Sequence, residues 1–291
     1  MSITFSPINA AVGFAATVSG IDLRQPLDRA GFLPIRDGLD EYGVLVFHGQ
    51  DLDEGSQIAF SRHFGELEVS IRRHRPRAVA HDEISDITNV APDGSIYPLD
   101  SEHMSYNLGN QLWHADSSFK KIPAIASLLH ARDVPPLGGA TEFADQRAAW
   151  DGLPAETQAR IDGMVGLHSL AHSRATMGYD AKEKFLAAET AEVPPVPQAL
   201  VQTNPRTGRR ALYAGAHVSG IIGLDKPESD ALLAELREQA TQTHLQYHHD
   251  WQAGDLVIWD DRATLHRGRP WDNSYRRVMR RTTVAGDGPT A

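Results

Sequence analysis

The chain has 291 residues, 41% of them hydrophobic and 23% charged, a balance that fits an ordinary globular protein and excludes a disordered or fibrous one. Its net charge of −10 at pH 7 argues against general attraction to nucleic acid or anionic membranes. Without a single cysteine, disulfides, thiolate metal sites and iron–sulfur clusters are excluded. Met1 to Phe14 carries no basic segment ahead of an apolar core, and no apolar run reaches spanning length, so a cytoplasmic protein is expected.

In chain order, Val12 to Leu23 reads as short strands punctuated by Gly13 and Gly20. Asp28 is placed to cap a helix on which Phe32, Ile35, Leu39 and Tyr42 recur at helical spacing, with Gly43 ending it. Val44 to Phe47 follows as a buried strand, and Asp53 to His63 as a second helix stopped by Gly65. From about 70 to 110 the pattern breaks down, with one short strand candidate at Ile87 to Val90. A long irregular segment of this kind is usually functional, and we expect an active-site lid. A second irregular insertion is expected at about 174–197. Strands are expected at Ser127 to His130 and Thr141 to Phe143, and a short helix from Pro154 to Ile161. Leu200 to Thr203 and Ala211 to Tyr213 flank an Asn-Pro turn and predict a hairpin. Pro227 to Thr241 is an amphipathic helix, free to pack on the sheet or against a second copy in a homo-oligomer. Strands follow at Leu245 to His248, Leu256 to Trp259 and Arg277 to Val284. Many short strands with a few helices predict a mainly β chain: a double-stranded β-helix, or jelly roll, decorated by α-helices, in a single domain spanning 1–291. A doubly wound sheet is disfavoured because regular β-α alternation and a Gly-rich phosphate loop are both missing.

The chemistry begins at His114-Ala115-Asp116. On a strand, residues i and i+2 share a face, so one imidazole and one carboxylate can reach the same metal ion. His266, far downstream, would complete a set of two nitrogens and one oxygen that leaves positions open, as in non-haem Fe(II) oxygenases. Alone, a His-x-Asp tripeptide is weak evidence among 14 histidines. Two further features strengthen it. Arg277, Met279 and Arg281 share one strand face, and two guanidinium groups there can dock two carboxylates bidentately. Gly138-Gly139-Ala140-Thr141 places a hydroxyl after a glycine turn, able to donate to a bound carboxylate.

These parts, in this order, resemble the Fe(II)/2-oxoglutarate-dependent dioxygenases of the taurine dioxygenase group, and within it most closely the 2,4-dichlorophenoxyacetate and other aryloxyalkanoate dioxygenases. The resemblance covers nearly the whole chain and is carried by Val18 to Leu23, Gln57 to Gly65, Asn110 to Phe119, Val134 to Phe143, Gly215 to His217, and Trp259 to Arg269. It implies that His114, Asp116 and His266 hold Fe(II), with O2 and 2-oxoglutarate as co-substrates. It further implies that Arg277 and Thr141 bind the distal carboxylate of 2-oxoglutarate, that Arg281 pairs with the acid group of a small anionic aromatic substrate, and that His217 lies near that substrate. The implied reaction hydroxylates the carbon between ether oxygen and carboxylate, releasing a phenol plus glyoxylate or pyruvate, with succinate and CO2.

Competing readings are a taurine, sulfonate or alkyl sulfate dioxygenase of the same group, a non-catalytic jelly roll that senses a metal or organic acid, and a zinc hydrolase on the same ligands. Trp113 is expected in core packing. His244, His248 and His249 are expected at partly exposed strand positions. The run Arg72 to Arg77 is expected to face water, with substrate steering as the other option.

Overall fold

The computed structural model describes residues 2–71, 76–177 and 193–291. Its main sheet has seven strands, numbered in chain order and arranged in space as β1 (Thr4–Asn9), β2 (Phe14–Ser19), β3 (Val44–Phe47), β13 (Leu256–Asp260), β5 (Ala124–Asp133), β15 (Val278–Ala285) and β4 (Ser85–Thr88). All neighbours are antiparallel except β2 and β3. A second sheet orders β12 (Gln246–His249), β6 (Thr141–Asp145) and β14 (Thr264–Gly268). The predicted strands alternate as a two-sheet core requires: Phe143 of β6 meets Val257, Trp259, Leu129 and Met279 of the main sheet in one buried cluster. The jelly-roll expectation is borne out.

The other face of the main sheet is covered by α1 (Arg29–Tyr42) and α2 (Glu54–Ser61), whose Ile35, Leu39 and Phe60 pack on Leu45, Phe47, Leu128 and Ile258. Asp28 caps α1 by accepting from Gly31 N at 2.8 Å, and Gly43, at φ 71, closes it with a hydrogen bond to Leu39 O. The second helix stops at Ser61, two residues before its expected end.

Three-stranded β11 (Val218–Ile221), β7 (Val165–His168) and β8 (Val196–Ala199), with the hairpin β9 (Val201–Thr203) and β10 (Arg210–Leu212), close one end. The hairpin matches its expectation, with Arg210 opposite Thr203. Helices α4 (Gln146–Asp151), α5 (Ala155–Ile161), α6 (Leu170–Ala175) and α7 (Lys226–Ala240) pack around it. The apolar stripe of α7, through Leu232, Leu233 and Leu236, is buried within this chain. None of the described helices is long and apolar enough to cross a membrane.

Three expectations are corrected. The segment 70–110 is not irregular throughout: β4 lies two residues earlier than the strand expected there and is stitched to β15, and α3 (Glu102–Leu108) forms its end. The insertion near 174–197 begins inside α6 and ends in β8; its residues 178–192 lie outside the described residues, as do Arg72 to Arg75 of the basic run. His249 is buried, because its ring turns inward against Trp251 while His248 stays at the surface.

Candidate functional site

The predicted histidines and carboxylate converge at one buried place. His114 and His266 exchange backbone hydrogen bonds of 3.0 and 2.9 Å, which adds His114 to the free edge of β14. His114 is therefore on a single β-bridge and not on the strand expected. The chain then reverses at Ser117, whose φ of 53 is left-handed, and the Asp116 carboxylate projects back toward both imidazoles. Ser117 Oγ donates to Glu68 Oε2 at 2.7 Å, and Lys120 Nζ donates to the same oxygen at 2.6 Å, so the turn is held from outside.

Each imidazole Nε2 lies 3.7 Å from an Asp116 oxygen, and the three ligand atoms lie within 4.8 Å of one another. His114 Nδ1 is 2.7 Å from Leu112 O, so Nδ1 carries the proton and Nε2 presents its lone pair. Burial holds both histidines below their ordinary pKa, which keeps them neutral and ready to coordinate. Burial works against the Asp116 charge, but the Arg281 guanidinium outweighs it and holds this carboxyl below the usual range. Two neutral nitrogens and one anionic oxygen, buried and facing one point, fit a divalent iron with coordination positions to spare.

Sequence reasoning missed the support behind Asp116. Ser127 Oγ is 2.9 Å from Asp116 Oδ2 and 2.8 Å from Asp261 Oδ2. Asp261 Oδ1 accepts from Asp116 N at 3.0 Å and Trp259 Nε1 at 2.9 Å. One hydroxyl hydrogen cannot serve two carboxylates. Burial, then the charge of Asp116, pushes the Asp261 carboxyl far up, so Asp261 is the protonated partner. It donates to Ser127, which donates to Asp116.

The opposite sheet brings the arginines. Arg277, just before β15, is buried; its Nη2 donates to Gly139 O at 3.1 Å and its Nε has no hydrogen-bond partner among the described residues. Burial draws its pKa down to about 10, still charged at neutral pH. Gly139 has φ 71, and a Cβ there would stand 3.1 Å from Arg277 Nε, which explains the second glycine of the Gly-Gly turn. Thr141 and Arg277 line one cavity with His266 and Trp271. A buried guanidinium and a hydroxyl thus line the same cavity, groups whose chemistry suits a carboxylate.

Arg281 lines that cavity and also the larger neighbour, which His114, Asp116, Phe119 and His217 line as well. His217 is buried edge-on against Phe119, with Nδ1 3.0 Å from Ser118 Oγ. Burial pushes its pKa well down, so its ring is neutral. Trp113 packs at the edge of the core under the Arg267 guanidinium, as expected.

Comparison with known proteins gives four findings. The profile described as "Taurine catabolism dioxygenase TauD, TfdA family" matches residues 4–283. The chain is 43% identical to the alpha-ketoglutarate-dependent 2,4-dichlorophenoxyacetate dioxygenase of Cupriavidus pinatubonensis, over 99% of each protein. It is 39% identical to the (S)-phenoxypropionate/alpha-ketoglutarate-dioxygenase of Sphingobium herbicidovorans, over 97% of this chain and 94% of that one. Among solved structures, AAD-2 in complex with Mn(II) and N-oxalylglycine superposes with a TM-score of 0.91 at 43% identity, covering 100% of this chain and 99% of that one.

Proposed function

The chain belongs to the taurine catabolism dioxygenase TauD, TfdA family, and on that premise we propose that it is a 2-oxoglutarate-dependent dioxygenase acting on aryloxyalkanoates. The observation that carries the reading is the pair of arginines: Arg277 and Arg281 present separate guanidinium groups to two adjoining cavities beside one metal-ligand set. Two anionic molecules, a dicarboxylic co-substrate and an acidic substrate, suit that layout.

His114, Asp116 and His266 would hold Fe(II), which with 2-oxoglutarate and O2 supplies the oxidant for a C–H bond and yields succinate and CO2. Arg277 and Thr141 would bind the distal carboxylate of 2-oxoglutarate. Arg281, whose side chain lines both cavities, would take the substrate carboxylate. Phe119 and the neutral His217 would form a wall for the aromatic ring, and the described residues 76–110, anchored through β4, would roof it. Held so, the carbon between the ether oxygen and the carboxylate would be turned toward the metal ligands. Its hydroxylation gives a hemiacetal or hemiketal. The new hydroxyl proton passes to the ether oxygen as that C–O bond breaks, releasing a phenol and leaving glyoxylate or pyruvate. We infer a cytoplasmic setting, where 2-oxoglutarate is available.

A substrate panel tests this. With iron and 2-oxoglutarate supplied, 2,4-dichlorophenoxyacetate and each enantiomer of 2-phenoxypropionate are compared with taurine and an alkyl sulfate by kcat/KM. The reading predicts that an aryloxyalkanoate leads by at least about tenfold, the order of one charge-assisted contact. A lead by taurine or the sulfate ester would sink it.

A further inference from the structure

Thr141 Oγ1 accepts a hydrogen bond from Trp251 Nε1 at 3.0 Å. An indole nitrogen only donates, and a hydroxyl has one hydrogen to give. With Trp251 donating into the oxygen, the Thr141 hydrogen is turned away from the indole. The cavity that Thr141 shares with Arg277 lies at that side chain. We propose that Trp251 is a positioning residue: it fixes the Thr141 hydroxyl as a donor into the 2-oxoglutarate cavity and touches neither co-substrate nor substrate. The inference rests on the assignment of Thr141 to 2-oxoglutarate made above.

The indole is itself held in place. Strand pairing sets His249 of β12 opposite Thr141 of β6. The His249 ring meets Trp251 edge to face at 4.5 Å between centroids. His249 Nδ1 is 2.8 Å from the Tyr247 hydroxyl, and its Nε2 lies 3.1 Å from Asp255 Oδ2, out of line for a hydrogen bond. Asp255 is in turn fixed by Gln252 N at 2.9 Å and by His48 Nδ1 at 2.7 Å. The buried His249 therefore has a use unconnected with metal binding: it is the surface on which the indole leans. A donor whose hydrogen is already aimed loses less freedom when a carboxylate arrives.

The test is a double-mutant cycle on the Mn(II)-loaded protein, with N-oxalylglycine binding measured by calorimetry. Trp251→Phe keeps a ring against His249 and removes the donor. Thr141→Val removes the hydroxyl and keeps the shape. We expect Thr141→Val to weaken binding about fivefold, the worth of one hydrogen bond. Trp251→Phe should weaken it about threefold, and the double variant should bind no more weakly than Thr141→Val. In turnover, Trp251→Phe should raise the KM for 2-oxoglutarate and leave kcat within about twofold. The proposal is overturned if Trp251→Phe binds like the parent, or if the two losses multiply, since a packing role alone would multiply. An unchanged Thr141→Val would instead remove the Thr141 assignment, and this inference with it.

Discussion

Arg281 donates from Nη1 to Asp116 Oδ1 at 2.5 Å, while its Nε is left without a hydrogen-bond partner among the described residues. The same planar group thus braces a metal ligand with one nitrogen while its side chain lines both cavities. On the proposed reading, a substrate carboxylate paired with Arg281 would be fixed relative to the metal ligands by one rigid side chain.

That relationship makes Arg281→Lys informative. Lysine keeps a positive charge near Asp116 and loses the fork. The KM for an aryloxyalkanoate should rise about 10- to 100-fold, the worth of hydrogen bonds to a charged group. Binding of 2-oxoglutarate, measured separately by titration, should shift less than about threefold. Equal damage to both would contradict the division of labour between Arg281 and Arg277.

Gly139→Ala should injure the other end. Its φ of 71 penalises an L-residue, and the new methyl would press on Arg277 Nε and Pro135. We expect a loss of about 1–2 kcal/mol in stability and a raised KM for 2-oxoglutarate. Thermal unfolding and steady-state kinetics read the two effects independently. A variant that lost stability with an unchanged KM would show that Gly139 serves the turn alone.

Ser127→Ala should loosen the iron site. It removes the hydroxyl between Asp116 and Asp261 and leaves two buried carboxyl groups facing each other. Metal affinity should fall about 10-fold or more, as for other partners of metal ligands. Asp261→Asn should be tolerated, since an amide can donate where the protonated acid does and its oxygen can still accept from Asp116 N and Trp259. Anaerobic metal titration of both variants decides; a metal affinity lost in Asp261→Asn and kept in Ser127→Ala would reverse the argument.

The acid limit of stability should be set in part by His168. Both its ring nitrogens lack hydrogen-bond partners among the described residues, and burial draws its pKa down to about 3. An unfolded histidine titrates near 6.5. Below that pH the unfolded chain takes a proton that the folded one refuses, so stability falls as pH drops, by up to about 1.4 kcal/mol per pH unit for one such group. His168→Phe, which can keep the stacking on Tyr213, should gain on the parent as the pH is lowered from 7.5 to 5 in thermal unfolding. A constant difference between the two proteins across that range would refute the assignment.

The metal-ligand set was legible because two of its members, His114 and Asp116, stand two residues apart and the distant third, His266, lies in a run dense in motif residues. The route to convergence was not. It depends on the left-handed turn at Ser117 and on the bridge between His114 and His266, which no periodicity encodes. Ser127 looks like any small residue in an apolar strand, and only the pairing of β5 with β13 brings it to Asp261. Trp251 and Thr141 are similarly joined through strand register. The long helices were readable from Asp28, Gly43 and the Leu232 to Leu236 stripe. Helix α3 was not, because Glu102 to Leu108 is too short to display an apolar face.

The measurement that tests the central claim most directly is the stoichiometry of turnover with 2,4-dichlorophenoxyacetate. Phenol, succinate and consumed O2 are quantified together, with 2-oxoglutarate, iron or O2 withheld in turn. The account predicts equal amounts of all three and no phenol when any one is withheld. Phenol released without 2-oxoglutarate or O2 would contradict it and point to hydrolysis at the same His114, Asp116 and His266 set.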